Sequence, residues 1–242
     1  MTTGDDRSLT AGAAPPRRKR LLLVTLSLLA TALFVGLGIW QVERRAWKLD
    51  LIARVEARLG SPSVPAPGRA EWPTLSRDAD EYRRVTAKGR FRPDRAVRTM
   101  AVTEKGAGSW LVVPLVTEAG DTILINRGFV PPDWQPPPDG EQVVTVTGLL
   151  RLPEPGGGFL RSNDPAHDRW YSRDVAAIAQ AKGLGLVAPY FIDADASGNR
   201  PGAPVGGLTV VAFRNHHLIY ALTWFGLAAL SGYAAYRALR ER

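Results

Sequence analysis

The chain has 242 residues, enough for one domain or two, and its hydrophobic share of 45% is ordinary, so the apolar residues inform only through where they sit. The net charge of +8 lies largely in two short tails, bases and acids nearly balance between Gln41 and Arg214, and no basic stripe with interleaved aromatics appears there, which argues against nucleic acid as a partner. The absence of cysteine excludes a disulfide framework, a thiolate copper site, covalent c-type haem attachment and thiol redox chemistry.

Residues 1–20 read as a basic tail ending in Arg17, Arg18, Lys19 and Arg20. LLLVTLSLLATALFVGLGIW, residues 21–40, carries no charge for about twenty residues, enough to cross a hydrocarbon core of roughly 30 Å as a helix. The block is longer than the roughly 7–15 apolar residues of a secretory signal, and no small-x-small cleavage site follows before Trp40, so an uncut anchor is expected. Asp5 and Asp6 speak against a mitochondrial presequence. LIYALTWFGLAALSGYAAY, residues 218–236, is a second span, followed by a tail, 237–242, with Arg237, Arg240 and Arg242. The positive-inside rule then turns both tails to the cytoplasm of a bacterial plasma membrane and residues 41–213 to its outer, periplasmic side. Membrane lipid is the partner expected for the basic tails.

Within the middle segment, QVERRAWKLDLIARVEARL, residues 41–59, continues the first span as a membrane-proximal helix. Its apolar face is read as Val42, Ala46, Leu49, Ile52, Val55 and Leu59; Arg44, Arg45, Lys48, Arg54 and Arg58 on the other face either snorkel or bind. SPSVPAPG, from Ser61, breaks the helix as a linker. From Tyr82 the period changes to two: YRRVTAKGRF, AVRTMAV, SWLVVPLV, DTILINRGFV, QVVTVTGLLR, RWYSR, PYFIDA and GLTVVAF each predict a short strand. DVAAIAQAKG predicts one helix, capped by Asp174, striped by Val175, Ile178 and Ala179 and stopped by Gly183. PPDWQPPPDG and PEPGGGFL read as loops, and Gly156 to Gly158 lacks the Lys-Ser/Thr of a phosphate loop. The fold class expected is a membrane protein: a helical hairpin of two transmembrane helices bracketing a β-rich, α+β extracytoplasmic domain, a small antiparallel barrel or sandwich.

No catalytic constellation is present. There is no GxSxG elbow and no HExxH, and with three histidines a zinc site would need His167 to join a distant pair. Asp193 and Asp195 could chelate a hard cation, but DADASGNRPG has the composition of a turn. His167, in NDPAHDRW, reads as a solvated loop histidine. The protein is not expected to be an enzyme.

RNHHLIYALTWF, residues 214–225, sets His216 and His217 at the mouth of the second span, level with Trp40 and Gln41 at the exit of the first. His217, Tyr220, Trp224 and Ala228 are spaced by three and four and share a helix face. Ala32 and Gly36, with Ala228 and Gly232, offer small-xxx-small seams for close packing. Imidazole is a common haem-iron ligand, and Arg214, Arg44 and Arg45 stand where the propionates of an inserted haem would emerge. The competing reading is that Trp, Tyr and His simply gather at bilayer interfaces.

Several spaced motifs resemble the Surfeit locus protein 1 family over nearly the whole chain. GLGIWQVERRAWK, with Gly38, Trp40, Gln41, Arg44, Trp47 and Lys48, resembles that family's exit from the first helix; YRRVTAKGRF is similar to its early strand; ILINRGFVP carries Asn126, Arg127 and Gly128; RWYSRDV supplies Trp170, Tyr171 and Asp174. FRNHHLIYALTWFGLA resembles the second-helix motif, with Arg214, Asn215, His217, Tyr220, Ala221, Thr223 and Trp224. His216 departs from it, standing where a second asparagine is expected, and Phe129 stands where tryptophan is common. The resemblance implies a non-enzymatic factor of cytochrome c oxidase biogenesis that takes haem a from haem a synthase and helps insert it into oxidase subunit I. It makes His217 the haem contact and leaves His216 open as a ligand, a hydrogen-bonding neighbour or an interface residue; Tyr220, Trp224, Arg214, Trp40, Gln41 and Arg44 complete the candidate set read from the residues themselves. The alternative is a cofactor-free membrane scaffold that stabilises an oxidase assembly intermediate.

Overall fold

The computed structural model describes residues 17–136, 143–158, 160–209, 211, 213 and 215–240. Two compact units emerge, Met1–Ile52 with Phe213–Arg242, and Ala53–Ala212. The first is a helical hairpin. Helix α1 runs Arg17–Gly60, 44 residues without a break, or about 66 Å at 1.5 Å per residue. Residues 41–59 continue the first apolar stretch within the same helix, because no Gly or Pro follows Gly38 until Gly60 and Pro62. Leu22, Leu26, Leu29 and Leu33 are each more than half exposed, unlike the packed core helix of a soluble protein. The last helix of the chain, His217–Arg240, is also long and apolar enough to cross a membrane. Two hydroxyls in these segments bond within their own helix, Thr31 to the Ser27 carbonyl at 2.8 Å and Thr223 to the Ile219 carbonyl at 2.9 Å, the pairing that a hydroxyl in an apolar surrounding needs.

The second unit is β-rich. In chain order it comprises β1 Val64–Pro65, a single turn α2 Arg77–Asp80, β2 Arg84–Phe91, β3 Val97–Thr103, β4 Gly106–Thr117, β5 Thr122–Val130, β6 Val143–Arg151, the small hairpin β7 Gly157–Gly158 with β8 Arg161–Ser162, α3 Val175–Lys182 and β9 Val187–Ala194. The sheet order is β1-β2-β6-β9-β5-β4-β3, and a further β2–β4 pairing closes β2, β6, β9, β5 and β4 into a five-strand barrel. The all-antiparallel expectation is corrected by the β5–β9 pair, which is parallel. Ile123 and Ile125 of β5 and Ala188, Tyr190 and Ile192 of β9 fill the lumen. Leu124 and Phe191, on the opposite face of the same strands, pack against Val175 and Ile178 of α3. Burial on both faces explains why these strands read as continuous apolar runs.

Two expected strands do not form among the described residues. RWYSR makes only isolated bridges, Thr99 with Trp170 and Asp164 with Arg169, and its aromatic density serves packing, since Trp170 is buried beside α3. In GLTVVAF, Gly207, Leu208 and Thr209 lie outside any strand; Val210 and Ala212 are outside the described residues. The linker is also more than a spacer, because Val64 and Pro65 pair with Val85 and Thr86 of β2.

Helix α3 forms as expected. Asp174 Oδ1 accepts the Ala177 amide at 3.1 Å, its Oδ2 accepts the Gly156 amide at 2.9 Å, and Gly183 ends the helix in the left-handed region at φ 61°. Asp174→Ala is therefore expected to lower stability by about 1–2 kcal/mol, read as an earlier urea midpoint of the full chain in detergent; an unchanged midpoint would refute the cap.

Asp193 corrects the turn reading. It lies in β9, 2% exposed, where its carboxylate accepts from Asn126 Nδ2 at 2.7 Å, Arg151 at 2.7 Å, Thr209 Oγ1 at 3.0 Å and Arg173 at 3.4 Å. Glu81, also buried, accepts from Arg151 Nε at 2.8 Å and the Leu152 amide at 3.0 Å. Burial pushes the Glu154 carboxyl up, but the two hydrogen bonds and the charge of Arg173 outweigh it and hold it below the usual range. Asp195 is a turn residue, as its composition implied, accepting the Ser197 amide at 2.9 Å. His167 is a loop residue with Nδ1 2.8 Å from Asp164.

Candidate functional site at the head of the helical hairpin

Helix α4, His217–Arg240, meets α1 along a stripe spaced alternately by four and three. On α4 the stripe is His217, Ala221, Trp224, Ala228, Ser231, Ala235 and Ala238; on α1 it is Val24, Ser27, Thr31, Phe34, Gly38 and Gln41, all buried or half-buried. A mean step of 3.5 residues is the spacing that keeps one helix face turned to its partner. The four alanines of the α4 stripe are buried and admit the neighbouring backbone closely, the usual basis of helix association in lipid. Phe34 stacks on Trp224 with ring centroids 5.7 Å apart. Gly38 receives the Phe225 ring so closely that a Cβ there would stand 2.6 Å from it. At the far end Arg20 reaches the Leu239 carbonyl at 3.4 Å, so the two helices run antiparallel.

This stripe corrects three expectations. Ala32 and Gly36 face outward, and a Cβ on Gly36 would meet nothing within 4 Å; the small residue on the α1 seam is Gly38. Beyond the apolar stretch, Val42 and Leu49 are exposed, and the buried or half-buried face is Gln41, Arg45, Lys48, Ile52 and Val55. Tyr220 is 53% exposed and stands beside the stripe, because the helix takes the step of four from His217 to Ala221.

At the head of the seam, His217 Nδ1 lies 2.7 Å from Gln41 Oε1. Gln41 is buried at 9% exposure, so its amide has no ready substitute in water, and losing that partner would leave a costly orphan. One and two turns further along α1, half-buried Arg45 and Lys48 extend the same face; Lys48 Nζ lies 5.1 Å from the Phe213 ring. Arg44 sits 3.9 Å over the Trp47 ring. Asn215 Oδ1 is buried with no hydrogen-bond partner among the described residues. His216 is exposed and Trp40 is 53% exposed; Arg214 lies outside the described residues. Of the expected set, then, the hairpin brings together His217, Gln41 and, two turns below, Trp224. Phe34, Phe213 and the buried Asn215 carbonyl join this head without having been singled out for it, and the four-three period along α1 was the signal that could have found Phe34.

No group of three or more His, Cys, Asp or Glu side chains among the described residues is arranged to hold a metal ion. The barrel has a cleft of about 180 Å³ bordered by Phe91, Val144, Thr147 and Arg200, below the roughly 300–1,000 Å³ of typical ligand pockets.

The model of the SURF1 family matches residues 28–229. The chain belongs to the SURF1 family. Surfeit locus protein 1 of Rattus norvegicus is 37% identical over 229 residues, which cover 86% of this chain and 72% of that protein. The protein of the same name from Homo sapiens is 38% identical over 82% of this chain and 71% of its own length, and that of Takifugu rubripes 36% over 85% and 92%. The SURF1 family is one of cytochrome oxidase assembly factors. The span matched to it contains both Gln41 and His217. Asn126, Trp170 and Asp174, also within that span, serve the barrel: Asn126 holds Asp193, Trp170 fills the α3 interface and Asp174 caps α3.

Proposed function

We propose that this SURF1-family protein binds haem a as cargo through His217 and assists its insertion into subunit I of cytochrome c oxidase, receiving it from haem a synthase. The protein acts without catalysis of its own, in the plasma membrane of a bacterial cell, with both tails cytoplasmic and residues 41–213 on the outer side. The observation that carries the reading is the half-buried imidazole at the head of the seam, tied to α1 at 2.7 Å through one ring nitrogen, Nδ1, its one hydrogen-bond contact among the described residues. A haem iron needs one such ligand. The Arg44, Arg45 and Lys48 cations stand one to two turns from it on α1, suited to carboxylates such as propionates. His216, exposed on the outer flank, is a neighbour and no ligand.

The visible spectrum of the full chain purified from cells that make haem a tests this. Wild type and His216→Ala are expected to carry haem a bands, and His217→Ala to lose them. The scaffold reading draws on the same bond, since an amide–imidazole contact also glues two helices together. It would be favoured by a colourless wild type from membranes rich in haem a.

A further inference from the structure

The Gln41–His217 contact carries more than adhesion. A carbonyl oxygen only accepts, so Gln41 Oε1 at 2.7 Å from Nδ1 requires the imidazole proton on Nδ1. A neutral ring carries one such proton, and Nε2 is then left with the lone pair that a metal needs. Gln41 is buried on the seam, one turn from the Gly38–Phe225 contact, with its Oε1 facing Nδ1. Were its amide nitrogen turned to Nδ1 instead, the proton would sit on Nε2 and the ring would present no free donor pair.

We infer that Gln41 is a positioning residue that holds His217 as the Nδ1–H tautomer, aims Nε2 at the haem a iron, and keeps that ligand weak enough to give its cargo up. The inference rests on the haem a reading above. Its last part follows from the kind of acceptor used. Carboxylates behind a ligating histidine draw on the ring proton and raise the basicity of the ligating nitrogen. A neutral amide carbonyl draws on it much less. Resident metal sites gain from the stronger acceptor, whereas a carrier that must release haem gains from the weaker one.

The full chain, labelled with ¹⁵N-histidine and held in lipid nanodiscs without haem, gives the first test through two-bond ¹⁵N–¹H correlations at pH 8, with the His217 signals assigned by their loss in His217→Ala. An Nδ1–H pattern is expected at His217, and an Nε2–H pattern overturns the inference whatever haem does. Titration with haem a then separates positioning from adhesion. Gln41→Met, which removes the acceptor, is expected to weaken haem a binding about 10- to 100-fold, the usual effect of losing a partner behind a metal ligand. Gln41→Glu is expected to act oppositely, binding at least as tightly and releasing haem a to apomyoglobin about tenfold more slowly. If both substitutions weaken binding alike, Gln41 only joins the helices and the positioning role is wrong. An Nδ1–H pattern in a chain that takes up no haem a in any form sinks the haem a reading instead, and leaves the tautomer as a packing device.

Discussion

Asp193→Ala is expected to cost the barrel about 3–5 kcal/mol, the range for breaking a buried ion pair from one side. The carboxylate is 2% exposed and is the common acceptor for Arg151, Arg173, Asn126 and Thr209. Removing it leaves two guanidinium groups crowded near the Phe191 ring, which they approach to 5.8 and 5.1 Å, with Glu81 and Glu154 the remaining carboxylates paired to them among the described residues. Asp193→Asn keeps the volume and one acceptor oxygen but loses the charge and turns an amide N–H toward other donors, so a smaller loss is expected. Urea unfolding of the full chain in detergent, followed by tryptophan fluorescence, measures both. A loss below about 1 kcal/mol for Asp193→Ala would mean that water replaces the carboxylate and that the cluster is less buried than its geometry implies.

The second large effect is expected at Gly128. The β4–β5 register runs from Leu111 opposite Gly128 to Val112 opposite Asn126, leaving Arg127 as the extra residue of a bulge. Gly128 takes φ +127° there, and a Cβ on it would lie 2.2 Å from the Val205 carbonyl. Gly128→Ala therefore combines a strained backbone with displacement of the Val205 segment, whose two bonds to Phe129 are 2.9 Å each. A loss of about 3 kcal/mol or more is expected. Hydrogen exchange locates it: the Phe129 and Val205 amides should lose protection before the lumen strands do. Uniform exchange across the barrel would show that the bulge is no local weak point.

Much of the barrel is legible from residue type, because β2 to β6 and β9 are dense in β-branched residues and α3 has an acidic cap and a stop glycine. What cannot be read is closure: the three-residue pairing of β2 with β4 depends on how far the sheet coils, which no local pattern reports. RWYSR misleads because aromatic residues signal burial as readily as strand. GLTVVAF misleads because its Val and Thr suit a strand, while Gly207 at φ +76° and the Thr209 bond to Asp193 use the segment as a cover. Asp193 looks like a turn residue until Arg151 and Arg173, distant in sequence, supply its partners.

In the hairpin, His217 announces itself, but its partner lies 176 positions away and is recognisable only from the phase of α1. From His217, steps of three or four stay on one face, so Tyr220 and Ala221 compete and local spacing cannot choose between them. The alternation running on through Trp224, Ala228, Ser231 and Ala235 makes the choice, and a single turn is too short to show it.

An alanine face is nearly smooth, and a smooth helix can slide. Ala221, Ala228, Ala235 and Ala238 fit against α1 almost equally well at several heights, and a slip of one heptad would move α4 by about 10.5 Å and carry His217 clear of Gln41. Bulk opposes this where Trp224 lies on Phe34 and Phe225 enters the notch at Gly38. These rings act as a depth gauge: lodged within the apolar zone, they fix the height of an imidazole two turns above them without touching it.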